Sequence, residues 1–289
     1  MKKILLLDGN GLIFRAYFAT ATRMSVSSNG TPTNALYLFA SIIMRLIEKK
    51  DFDDILVALD SPGKKFRHKE FNDYKANRKE VPMELKLQFA PIKEFLNICN
   101  IKTIEIEGYE ADDIIGTLIC QSDEDWDFYF RDNDILQNIG TYNLCVSFEN
   151  DLTLGKIVDV REHMRHKYEL DLDYLPLLWK VIKGDSGDCI PIGFERFPTK
   201  ILKGLCLDER FHSNNVTFDD CIDVLLEYKN YTGKTKESIE KLKDKNSDLY
   251  KKLEINYKLV KPMYLEKIKR RKMIGDTKPI FSKFNIKNI

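Results

Sequence analysis

Lys3-Ile4-Leu5-Leu6-Leu7-Asp8-Gly9-Asn10-Gly11 is the stretch on which the fold turns. Four consecutive aliphatic residues are too few for a helix, and turn formers follow them. They read as a buried strand closed at its carboxyl end by Asp8 and followed by a turn. The pattern recurs along the chain. Residues 55–59 are a second apolar run, again closed by an aspartate, Asp60. Residues 103–106 form a third, and residues 126–130 run into Arg131-Asp132-Asn133-Asp134. Helical periodicity fills the intervals at 34 to about 49, at 84–99 with Pro91 as a kink or boundary, and at 109–121. Strands alternating with helices predict an α/β fold with a mostly parallel central sheet flanked by helices. Ligands of such sheets bind beyond the carboxyl ends of the strands. Asp8, Asp60, Asp132 and Asp134 are therefore expected to converge.

The chain has 289 residues, of which 43% are hydrophobic, enough for a substantial core. We expect an α/β part at 1–169 and a helical part at 170–289. Formal net charge is only +1, but it is unevenly spread: residues 229–289 hold 18 basic and 7 acidic side chains, and residues 1–228 hold 28 and 38. An acidic body with a basic tail suits cations in one part and a polyanion in the other. The apolar start is too short for a signal peptide, and no run of about 18 apolar residues could span a membrane. Six cysteines show no zinc spacing and read as reduced core thiols. His163 and His166 read as surface histidines.

Residues 61–83 are rich in Lys and Arg, among them Lys64, Lys65, Arg67, Lys75 and Arg78, with few large aliphatics. Such a stretch is expected to project as a loop or helical arch. The acidic positions with a recognisable setting are Asp8, Asp60, Glu110, Asp112, Asp113, Asp132, Asp134, Asp185 and Asp188. Glu110, Asp112 and Asp113 could equally be a favourable first turn of a helix. Taken together, however, so many carboxylates at one sheet edge would repel one another unless cations neutralised them. All-oxygen sites suit Mg²⁺ or Mn²⁺, and two such ions can hydrolyse a phosphodiester. Rival phosphate sites fit poorly. A dinucleotide fingerprint needs glycine where Phe14 stands, and a dehalogenase-like phosphatase needs aspartate where Asn10 stands.

Five strings in order carry a family resemblance: residues 5–19 (LLLDGNGLIFRAYFA), 57–78 (VALDSPGKKFRHKEFNDYKANR), 108–118 (GYEADDIIGTL), 131–139 (RDNDILQNI) and 183–191 (KGDSGDCIP). The chain resembles the flap endonuclease / 5′-nuclease family in its bacterial and phage branch, whose core is PIN-like. The resemblance implies a structure-specific 5′-nuclease acting by two-metal-ion catalysis, with two or more Mg²⁺ ions and Mn²⁺ able to substitute. Asp8, Asp60, Glu110 and Asp112 fall where the family holds its first metal, with Asp113, Asp132 and Asp134 beside them. Asp185 and Asp188 fall at its second metal. Lys75 and Arg78 match arch residues that reach the scissile phosphate, Tyr74 an aromatic on which terminal bases stack, and Arg15 a phosphate contact. Arg67, Arg196 and Lys200 are further expected nucleic-acid contacts. The implied partner is DNA with a 5′ single-stranded end, flap or nick, with an RNA-primed end also open. The protein is expected to act as a monomer in a bacterial or phage-infected cytoplasm. A catalytically silent junction binder and a PIN-type ribonuclease are the alternatives.

The sequence leaves the family pattern at one place. Relatives carry a glycine-rich hairpin within a helix-three-turn-helix motif, holding duplex phosphate and K⁺; here Ile192, Glu195 and Phe197 occupy its glycine positions. Two readings stay open. Either the turn is shifted, with Gly193 in the tight position and Arg196 or Lys200 on phosphate, or the hairpin site and its K⁺ are lost. The second reading transfers duplex contact to side-chain cations.

Overall fold

The computed structural model describes residues 3–23, 25–49, 52–121, 125–129, 134–138, 142–146 and 156–265. Its centre is a six-stranded sheet of β1 (Lys3–Asp8), β2 (Asp54–Leu59), β3 (Lys102–Glu105), β4 (Asp125–Tyr129), β5 (Tyr142–Val146) and β6 (Lys156–Asp159). The order is β3-β2-β1-β4-β5-β6, parallel throughout except for the antiparallel edge strand β6. Strand order reverses between β1 and β4, which opens a crevice beyond the end of β1, where Asp8 stands.

β1 lies inside the sheet and is buried on both faces, which is why it is continuously aliphatic. Ile4 and Leu6 belong to one hydrophobic cluster, Leu5 and Leu7 to the other. The Leu5/Leu7 face is covered by α1 (Gly9–Thr20), α2 (Asn34–Lys49) and, after the short α3 (Arg67–Glu70) and α4 (Met83–Lys86), by α5 (Phe89–Ile98). The opposite face is covered by α6 (Ala111–Gln121) and α7 (Val160–Tyr168). The same cluster continues without a break into α8 (Leu177–Lys183), α9 (Thr199–Leu205), α10 (Phe218–Glu227), α11 (Gly233–Lys241) and α12 (Asp248–Val260). Packing is thus continuous across residues 169 and 170. The basic tail beyond residue 265 lies outside the described residues.

Three expectations need correction. The turn read at residues 8–11 is the first turn of α1, whose N-cap is Asp8, with Asp8 Oδ1 accepting from Gly11 N at 3.0 Å. Gly9 is required by close packing: a Cβ there would stand 2.6 Å from Leu59 Cδ2 and from Val57 Cγ1. Second, the helix read at 84–99 is two helices, α4 and α5, broken at Leu87 and Gln88; Pro91 sits in the first turn of α5, where its missing N–H costs nothing. Third, residues 61–75 do not project freely, whereas residues 76–80 are exposed. Ser61 N donates to Tyr109 O, Phe66 N to Gly108 O and Lys75 N to Asp188 O, which ties these positions to the residues before α6 and to the turn after α8. The strands β5 and β6 were not anticipated from periodicity.

Candidate active site

Of the carboxylates expected to converge, Asp8 and Asp60 stand at the ends of the neighbouring strands β1 and β2, close to the acidic start of α6, on supports supplied by distant residues. Asp60 follows β2, and its Oδ1 accepts from Ala111 N at 2.7 Å, capping α6 from 51 positions away. Its own N–H donates to Asn10 Oδ1 at 3.0 Å, which ties the end of β2 to the start of α1. Burial, reinforced by the negative charge of Glu110, raises the Asp60 carboxyl above the usual range.

Glu110 precedes α6 and is 6% exposed. Lys75 Nζ lies 2.7 Å from its Oε1, and Arg67 Nη1 lies 3.0 Å from its Oε2. Burial alone would raise the Glu110 pKa, but Lys75 and Arg67 outweigh it and hold the group below the ordinary glutamate value. The mirror argument holds for Lys75, whose ammonium is held above its usual value by Glu110 and Asp188 against the effect of burial. Lys75 has a left-handed backbone, φ 56°, and its N–H is pinned to Asp188 O at 3.0 Å. Such strain persists only where surrounding contacts over-determine it.

Asp188 is 7% exposed and pairs with Arg78 Nη2 at 2.6 Å and with Lys75 Nζ at 3.6 Å. It sits in a tight turn, residues 186–188, that follows α8 and Gly184. Asp185 caps that turn, accepting from Gly187 N at 2.9 Å, and forms an ion pair with Lys180 Nζ at 2.9 Å. Burial opposes ionisation of Asp185, yet Lys180 and the turn's N–H groups lower its pKa. Lys180 escaped the sequence reading because a lysine on an apolar helix face carries no local sign that it meets a carboxylate beyond the helix end. Asn77 completes the clasp, its Nδ2 donating to Ser186 O at 2.9 Å.

Other expected site residues stand as follows. Asp112 is half-buried at the start of α6, and its charge acts on Lys75. Asp113 is 1% exposed, with both oxygens bonded to Arg67 at 2.8 and 2.9 Å. Arg67, expected to contact nucleic acid, is instead turned inward and buried, because two carboxylates and two backbone carbonyls claim its guanidinium. Tyr74, expected to stack on bases, is buried, with its hydroxyl 3.1 Å from Glu110 Oε2 and 3.3 Å from Asp188 Oδ2. Arg15 is half-buried on α1; Arg196 and Lys200 are exposed before and at the start of α9. Asp132 and the side chain of Asp134 lie outside the described residues.

Gly193 does take a tight position: a Cβ there would collide with Val181 O, and Gly193 N and Phe194 N both donate to Ile182 O. Phe197 is buried against Phe194 and Tyr231 rather than crowding the turn's outer surface.

Among the described residues, no three His, Cys, Asp or Glu side chains stand close enough together to hold a metal ion as they are. Lys75 Nζ lies between two of the carboxylates, Glu110 and Asp188. The donor set itself, all carboxylate oxygen, fits hard divalent cations.

Comparison with known proteins decides the family. Residues 3–168 match the family described as 5′-3′ exonuclease, N-terminal resolvase-like domain. The chain belongs to the 5′-3′ exonuclease family. Similar family members include DNA polymerase I of Bacillus subtilis, 35% identical over 255 residues covering 84% of this chain and 26% of that protein. The 5′-3′ exonuclease of Aquifex aeolicus is 33% identical over 194 residues, 66% of this chain and 64% of that protein. The chain spans only about a quarter of the length of the DNA polymerase I relatives, 25% for that of Caldicellulosiruptor bescii. In fold it is similar to the T5 D15 protein co-crystallised with metal ions, with a TM-score of 0.62 at 20% identity, covering 91% of this chain and 90% of that one. The catalytic core of Rad2 in complex with DNA substrate is more distant, with a TM-score of 0.52 at 13% identity, covering 92% and 79%. These two likenesses establish the fold, a mostly parallel sheet flanked by helices.

Proposed function

We propose that the chain is a structure-specific 5′-nuclease that hydrolyses DNA phosphodiesters at a 5′ single-stranded end, flap or nick. One observation carries the reading: Lys75 and Arg78, from the segment after β2, meet Glu110 and Asp188, from before α6 and after α8, in one cluster. Cations beside carboxylates at the carboxyl edge of a parallel sheet are the parts a metal-assisted phosphoryl transfer needs. Relatives named as 5′-3′ exonucleases and DNA polymerases support the substrate class.

Asp8, Asp60, Glu110, Asp112, Asp185 and Asp188 would hold divalent ions, Mg²⁺ or Mn²⁺. When bound, such ions supply a water-derived nucleophile and neutralise the leaving oxygen. Lys75 and Arg78, freed from their carboxylate partners, would face the transferred phosphoryl group and stabilise its developing charge. Tyr74 would reach a base only after leaving its buried place beside Glu110. Arg15, Arg196 and Lys200 are exposed or half-exposed cations suited to phosphate, and the protein is read as acting on DNA as a monomer. No helix among the described residues is long and apolar enough to cross a membrane.

A cleavage assay on 5′-labelled flap, nicked and RNA-primed substrates tests the reading. Activity should appear with Mg²⁺ or Mn²⁺ and vanish with chelator. Binding to the same substrates without cleavage under any divalent ion would establish the silent junction binder instead.

A further inference from the structure

The four lone-pair positions of the Asp113 carboxylate are all taken. Oδ1 accepts from Arg67 Nη2 at 2.8 Å and from Met263 N at 3.2 Å; Oδ2 accepts from Arg67 Nη1 at 2.9 Å and from Glu110 N at 3.2 Å. An ionised carboxylate has about four acceptor positions in all. Arg67 is equally complete. Its five N–H donors go to Asp113 Oδ1 and Oδ2, to Glu110 Oε2 at 3.0 Å, to Leu259 O at 2.9 Å and to Lys261 O at 3.4 Å. The planar fork of arginine matches this bidentate geometry and lysine's point charge does not. Leu259 and Lys261 lie at the carboxyl end of α12, where exposed helix carbonyls favour a cation.

From this geometry we infer that Arg67 is a positioning residue for Glu110, and that Asp113 serves Arg67 and is not a metal ligand. Arg67 joins three parts of the chain at one point: the segment after β2, the acidic start of α6 and the end of α12. Its charge is cancelled by Asp113, so Glu110 is oriented by a hydrogen bond while its other oxygen, paired with Lys75, remains the one exchangeable with a divalent ion. The state of the C-terminal helices thereby reaches the carboxylate cluster through a single guanidinium. The inference rests on the proposed metal-dependent reading of the cluster.

The experiment is Mn²⁺ binding to the full chain, followed by calorimetry and by the electron paramagnetic signal of free Mn²⁺, with far-UV circular dichroism as the folding control. Asp112→Asn serves as the ligand variant for comparison and should lose a bound ion. Asp113→Asn should keep the wild-type number of ions. Arg67→Met should weaken the tightest Mn²⁺ site by about 10–100-fold, the range for residues that orient ligands. Arg67→Lys should recover only part of that loss. If Asp113→Asn loses an ion as Asp112→Asn does, Asp113 is a ligand and the inference is overturned. A folded Arg67→Met with wild-type Mn²⁺ affinity overturns it as well. Should Arg67→Met fail to fold, wild-type affinity in Arg67→Lys overturns it in the same way. Wild-type protein that binds no Mn²⁺ at all would instead defeat the metal-dependent reading.

Discussion

Lys75 and Glu110 form a buried ion pair, Nζ to Oε1 at 2.7 Å, between the segment after β2 and the residue preceding α6. Lys75 also faces Asp188 at 3.6 Å, so one ammonium stands where cations entering the cluster must stand. The same charge is therefore a counterion to these carboxylates and a candidate stabiliser of the phosphoryl group.

Lys75→Ala is expected to lower single-turnover cleavage of a 5′ flap by roughly a hundredfold or more, the scale of one lost transition-state donor. Affinity for the duplex should change little, because one phosphate contact among many adds little binding. Mn²⁺ should bind more tightly, since Glu110 and Asp188 lose their internal cation. Calorimetry and rapid-quench kinetics read the two effects separately. Intact turnover with collapsed affinity would make Lys75 an ordinary anchor.

Asp112→Ala and Asp185→Ala are each expected to reduce turnover by orders of magnitude while leaving duplex binding largely in place. Filter binding and cleavage on the same flap distinguish the outcomes. Wild-type cleavage by either variant would remove that residue from the catalytic cluster.

Duplex binding should respond little to K⁺ in place of Na⁺ at fixed ionic strength, and should fall steeply with added salt. The reason is where the turn's N–H groups go. Gly193 N and Phe194 N are spent on Ile182 O, inside the fold, and so are turned away from any phosphate. Titrations of a fluorescent duplex in the two salts measure this, and a strong K⁺-specific gain would show that other groups of the turn build the site.

Gln88→Leu is expected to destabilise the fold by about 2–4 kcal/mol, because two backbone N–H groups lose their acceptor inside the protein. Gln88 is fully buried, and its Oε1 accepts from Ala35 N at 2.8 Å and Leu36 N at 3.1 Å, capping α2 from more than fifty positions away. Its Nε2 donates to Asn34 Oδ1 at 2.9 Å. Urea unfolding checks the value; a loss below about 0.5 kcal/mol would mean water replaces the amide.

Local pattern alone was enough for β1 with Asp8, β2 with Asp60, and the acidic start of α6. A buried strand needs a short aliphatic run, and the residue that ends it stands at the sheet edge whatever the rest of the chain does. Family strings added Lys75, Arg78, Asp185 and Asp188. The helix α1 was hidden because its glycines read as a turn, whereas Gly9 answers to contact with Val57 and Leu59 on another strand. The segment at 61–83 was read as projecting because a charged stretch with few aliphatics has no apolar face to bury. Its Arg67 and Lys75 turn inward because Arg67 finds Asp113 and Glu110, while Lys75 finds Glu110 and Asp188. Asp112 and Asp113 are neighbours of identical chemistry, and no spacing rule separates them. Only the three-dimensional fold gives one of them to an arginine 46 residues away, because the partners of a buried charge are chosen by proximity in space and by the cost of leaving it unpaired.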